Sequence, residues 1–77
     1  MSDGMTATPG LPPEAAAMLD LERRTWRRPV AKQQAIRAAF GWTPTSYYQR
    51  LNRLIDLPAA WAADPITVKR LRARRDA

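Results

Sequence analysis

Apolar residues in this chain recur at helical spacing, and proline or glycine interrupts them at short intervals. Residues 1–12 carry Gly, Pro, Ser, Thr and Asp with no apolar period, and read as a disordered lead. Pro12-Pro13-Glu14 suits a helix start, and the first helix is expected from Ala15 to about Arg27. Ala15, Met18, Leu19 and Trp26 fit one face loosely, with Leu21 off the stripe, and Pro29 ends or kinks the segment. A second helix follows from Val30 or Ala31 to Phe40, with Ala35, Ile36, Ala39 and Phe40 as its stripe. Gly41 stops it as a left-handed cap residue does. Thr43 is then a good N-cap and Pro44 a good first residue, so a third helix starts almost at once. Its apolar residues are Tyr47, Tyr48, Leu51, Leu54 and Ile55. Leu57-Pro58 closes it. A short helical turn around Trp61 covers Pro58 to Ala63, and Asp64-Pro65 repeats the cap-and-proline start for a last helix.

These elements predict an all-α fold: a small bundle of four or five short helices containing a helix-turn-helix, over residues 13–77. The expected core is Trp26, Ile36, Phe40, Trp42, Leu51, Leu54, Ile55 and Trp61. In so short a chain the three indoles serve better as bulky core than as base-stacking residues.

The segment from Ala31 to Ile55 meets the physical demands of a DNA-reading helix pair. Such a pair needs a tight turn, supplied by Gly41, and a second helix with one apolar face and one face of short polar and Arg side chains. On the third helix Thr45, Ser46, Gln49, Arg50 and Arg53 point outward, with Thr43 beside the turn, and no acid occurs before Asp56. Arg suits guanine, Gln suits adenine, and Ser or Thr suits either base or phosphate. One of Tyr47 and Tyr48 is expected in the core and the other at the border of this face. The pattern departs from the common repressor type at Arg37, Tyr47 and Arg50, where small or aliphatic residues are usual. A plain corner between two surface helices would leave Arg50 and Arg53 as solvated side chains.

Charge sharpens this picture. Thirteen bases against seven acids give +6, and eleven of the bases are Arg. Residues 1–22 hold four acids and no base, so the positive charge is concentrated downstream. Lys69, Arg70, Arg72, Arg74 and Arg75 crowd the end of the last helix, where the macrodipole favours cations with or without a partner. As phosphate contacts they make binding salt-dependent: about six neutralised phosphates give a slope of log affinity on log salt near −5. Arg23, Arg24, Arg27 and Arg28 form a second basic cluster, with Asp20 placed to pair with Arg23 or Arg24.

The chain has neither Cys nor His. It therefore offers no disulfide, no thiolate or imidazole metal site and no histidine base. The acids are scattered and no glycine-rich phosphate loop occurs, so no enzyme activity, cofactor or metal is expected. No apolar run approaches the roughly 20 residues of a bilayer span, and no export signal is evident, which reads as cytoplasmic.

Leu19-Asp20-x-Glu22-Arg23, Lys32-x-x-Ala35-Ile36-Arg37, Phe40-Gly41, Tyr47-Tyr48-Gln49-x-Leu51-Asn52-x-Leu54-Ile55-Asp56 and Asp64-Pro65-x-x-Val68-Lys69-Arg70-Leu71-Arg72 together resemble a functionally uncharacterised family. It comprises small helix-turn-helix-like proteins of actinobacteria and their phages. The resemblance spans residues 19–75 and is most specific at Tyr-Tyr-Gln-x-Leu-Asn. It implies an intracellular setting, the host cytoplasm if phage-encoded, and no catalysis.

The leading expectation is a DNA-binding protein, a small transcriptional regulator or phage or host accessory factor on double-stranded DNA. The alternative is a protein-binding module that docks on transcription machinery or another acidic protein. A membrane-surface role is disfavoured by the slight apolar face of Ile66, Val68 and Leu71. One short reading unit gains affinity from a homodimer or from added contacts, and no dimerisation helix is evident.

Overall fold

Every helix among the described residues begins on a proline, a residue whose missing N–H and fixed φ suit the first helical position. The computed structural model describes residues 10–77, so the lead expected over residues 1–12 lies mostly outside the described residues. Five helices follow in order: α1 (Pro13–Arg23), α2 (Pro29–Phe40), α3 (Pro44–Leu54), α4 (Pro58–Ala63) and α5 (Pro65–Asp76). The described residues contain no strand, and the all-α reading holds.

Cap chemistry places the boundaries. Gly41 closes α2 in the left-handed conformation, at φ 74° and ψ 14°, and its N–H donates to the Arg37 carbonyl. Thr43 opens α3 with its hydroxyl accepting from the Ser46 N–H at 3.2 Å. Asp64 does the same for α5, accepting from the Thr67 N–H at 3.1 Å. Pro29 starts α2 instead of merely ending what precedes it. Arg28, held extended before that proline, is the N-cap residue.

α1 is shorter than expected, ending at Arg23 rather than near Arg27. At that end the indole Nε1–H of Trp26 folds back to donate to the Leu21 carbonyl at 3.2 Å, which also accepts from the Arg24 N–H at 3.3 Å.

The packed pairs are α1 on α5, α4 on α5 and α2 on α3. The core joins Met18, Leu19 and Leu21 of α1, Ile36 of α2, Tyr47, Leu51 and Leu54 of α3, Ile55, Ala60 of α4, and Val68 and Leu71 of α5. Leu11 also belongs to it, so the tail of the expected lead is packed and not disordered. Its apolar side chain gains on the order of 1.5–3 kcal/mol by that burial. Four of the eight residues expected in the core differ in degree. Trp26, Phe40 and Trp42 are half-buried and pack against it. Trp61 is 42 % exposed. α4 is too short to bury a broad face and turns Ala60 inward, leaving Trp61 outside with the Arg72 guanidinium 5.6 Å from its ring centre. Ala39 is likewise exposed, because Ile36 alone on α2 is fully enclosed.

The Asp64 cap also ties the two ends of the domain. Arg23 Nε, on the last residue of α1, donates to Asp64 Oδ2 at 2.7 Å. Burial pushes the Asp64 carboxyl up, but hydrogen bonds from Thr67 and Arg23 outweigh it and hold the group below the usual carboxylate range. Its stabilisation is therefore complete above that range, near pH 4, and is lost as pH falls through the lowered folded value. Asp64→Ala is expected to cost about 1–2 kcal/mol in urea unfolding at pH 6, with the gap to the parent shrinking at pH 2.5.

Candidate nucleic-acid interface

The turn from α2 to α3 is built by aromatic stacking. The rings of Phe40 and Trp42 lie 4.6 Å apart and nearly parallel, and both stand within 6.5 Å of the ring of Tyr47. Tyr47 is fully enclosed, so this stack anchors the start of α3 to the core. Of the two tyrosines it is the core residue. Tyr48 sits edge-on to it and is exposed, at the border of the outer face.

The outer face of α3 carries the side chains that the spacing predicted. Thr45, Gln49, Arg50 and Arg53 are exposed and Ser46 is half-buried. Thr43 is exposed too, but its hydroxyl oxygen is engaged as the α3 cap. Arg50 does not project freely. Its guanidinium lies 4.3 Å from the centre of the Trp42 ring, and its Nε points at Ser46 Oγ from 3.5 Å. A stacked guanidinium keeps its outer N–H groups available while losing rotamer freedom, which favours directed contacts. Gln49 and Arg53 occupy the middle of the face, half a helical turn away from the buried Leu51.

Asp56, the first acid after this helix, does not offset the charge. Arg75 donates to it at 3.1 Å and Arg72 stands at 3.9 Å. The Arg75 hydrogen bond holds its carboxyl below the usual range.

The five bases of α5 fall into two groups. Arg70 donates to the backbone carbonyl of Glu22, and Arg75 to Asp56 and to the carbonyl of Asn52, so both fasten α5 to its neighbours. Lys69 and Arg74 are exposed with no acidic partner among the described residues, and Arg72 is shared between Asp56 and Trp61. Because Arg75 reaches the C-terminal end of α3, the basic end of α5 stands beside that end of the helix.

One constellation escaped the sequence reading. Glu22, only 3 % exposed, accepts from the Tyr47 hydroxyl on one oxygen and from Lys32 Nζ at 3.0 Å on the other. Burial, reinforced by this carboxylate, pushes the Tyr47 phenol up, so the tyrosine stays protonated and donates. The network joins α1, α2 and α3 and orients the α2–α3 pair. Its only sequence signal was Glu22 on a helix whose other acids face solvent.

The profile of a family described as a protein of unknown function, DUF3263, matches residues 10–77. The chain belongs to the DUF3263 family. That match takes in all five helices, so the α3 face and the basic end of α5 both lie within the DUF3263 domain. No curated protein and no solved structure matches the chain. Among the described residues no helix is long and apolar enough to cross a membrane.

Proposed function

We propose that this protein binds double-stranded DNA, with α3 entering the major groove and the basic end of α5 resting on the phosphate backbone. The observation that carries the reading is the outer face of α3: Thr45, Ser46, Gln49, Arg50 and Arg53 without an acid among them, presented by a rigid aromatic turn. A helix so equipped has donors for guanine, both donor and acceptor for adenine, and hydroxyls for phosphate. Lys69, Arg72 and Arg74 supply the positioning contacts, which set register without reading sequence. We place the protein in the cytoplasm of an actinobacterium or of a phage-infected host, as a small regulator or accessory factor without catalytic activity.

Selection from a pool of randomised duplexes tests the reading. Enrichment of a short site is expected, and its base preference should relax when Gln49 or Arg53 is replaced. A pool that emerges unenriched overturns sequence reading by α3. Partners recovered from lysate only when nuclease is omitted also support DNA as the ligand.

A further inference from the structure

Arg24 and Arg27, from the basic cluster at the end of α1, have no part in the duplex reading, yet they line an open groove. This groove, about 510 Å³, runs between the α1–α2 connection, Lys32 of α2, Tyr48 of α3 and the outer side of α5. That size falls within the range of small-molecule sites. Arg24 and Arg27 approach it from one wall and Arg70 and Arg74 from the other, although about fifty residues separate the two pairs in the chain. The one carboxylate in the lining, Glu22, is consumed by Tyr47 and Lys32 and offers the arginine side chains no counter-charge. Arg27 and Arg74 pair with no acid among the described residues, and Arg24 reaches Asp20 only at 3.5 Å. Like charges converging on a concave surface focus a positive potential on whatever enters it.

Two aromatic rings share the lining. Trp26 is pinned by its bond to the Leu21 carbonyl and half-buried, so its ring is a fixed wall. Tyr48 is exposed opposite. Guanidinium forks match phosphate, and flat side chains match a planar ring. An acidic peptide would use the arginines but leave both rings idle.

We infer that this groove is a binding site for a nucleotide, its phosphate on Arg27 and Arg74 and its base against Trp26 or Tyr48. The nucleotide is either free or one unit of an unpaired strand. Arg74 is shared with the duplex reading, but a mononucleotide presents no groove to α3, so the two readings fail separately.

Nuclear magnetic resonance of the full chain tests it through the indole N–H signals, that of Trp26 being assigned with a Trp26→Phe variant. The probes are AMP, a 5′-phosphorylated tetrathymidylate, inorganic phosphate and hexaglutamate. AMP or the tetranucleotide is expected to shift the Trp26 signal saturably, about tenfold or more tightly than inorganic phosphate. Saturation by AMP identifies a free nucleotide as sufficient, and saturation by the tetranucleotide alone identifies the unpaired strand. An Arg27→Ala, Arg74→Ala double variant should weaken binding about tenfold or more while keeping the Trp42 and Trp61 signals in place. Absence of any saturable shift with both nucleotide probes overturns the inference. So does inorganic phosphate or hexaglutamate binding as tightly as they do.

Discussion

Glu22→Ala is expected to destabilise the domain by about 2–4 kcal/mol, which for a fold of this size is on the order of half its total stability. The substitution leaves the Tyr47 hydroxyl without its acceptor and the Lys32 ammonium without its counter-charge. Removing one partner of a buried pair costs about 3–5 kcal/mol, and the lower figure here reflects Lys32, whose side chain retains 14 % exposure. Urea unfolding followed by circular dichroism measures it. The control is Glu22→Leu with Lys32→Met and Tyr47→Phe, an apolar replacement of the whole network expected to lie within about 1 kcal/mol of the parent. The Arg70 contact survives in both, since it uses the Glu22 backbone carbonyl. A single variant within about 0.5 kcal/mol of the parent contradicts the assignment of this network as a keystone of the fold.

Arg53→Ala is expected to weaken binding to a selected duplex by about 5- to 150-fold, the loss of one bidentate base contact. Gln49→Ala should act in the same range and relax preference at a different base pair. Neither side chain touches the core, so both variants should unfold at the parental urea midpoint. Arg50→Ala differs, because it also strips the Trp42 ring of its stacked cover. Loss of affinity and some loss of stability are expected together. Equal losses on selected and random duplexes would place Arg53 on phosphate rather than on a base.

Short-range grammar was legible in the sequence. The caps at Thr43 and Asp64, the stop at Gly41 and four of the five proline starts all depend on neighbours within a turn, and all are found where expected. Long-range pairing was not. Glu22 finds Tyr47 twenty-five positions away and lends its carbonyl to Arg70 forty-eight away, and no periodicity reports such a meeting. Trp61 misled because large apolar residues are usually enclosed, whereas a six-residue helix can bury only its smallest face. The groove was half legible: four arginines around Pro29 exceed the acids near them, but their counterparts on α5 are brought in only by the fold.

The packing of α5 also dictates how its charge can be tested. Thr67, Val68 and Leu71 are buried, so deleting the helix would open the core and report on folding instead of binding. Charge must be removed by substitution. Arg70 and Arg75 already serve protein acceptors, which leaves Arg50, Arg53, Lys69, Arg72 and Arg74 for the duplex. On a random duplex, where Arg50 and Arg53 find no preferred base and rest on phosphate, five neutralised phosphates correspond to a slope of log affinity on log salt of about −4.5, somewhat shallower than charge counting alone suggests.

Fluorescence anisotropy of the intact chain on a random-sequence duplex, across a salt series, tests duplex binding most directly. Saturable binding at low salt with a slope of about −4.5 is expected, falling to about −2.7 when Lys69 and Arg74 are both replaced by alanine. No binding at low salt, or an affinity that salt leaves unchanged, contradicts DNA as the partner.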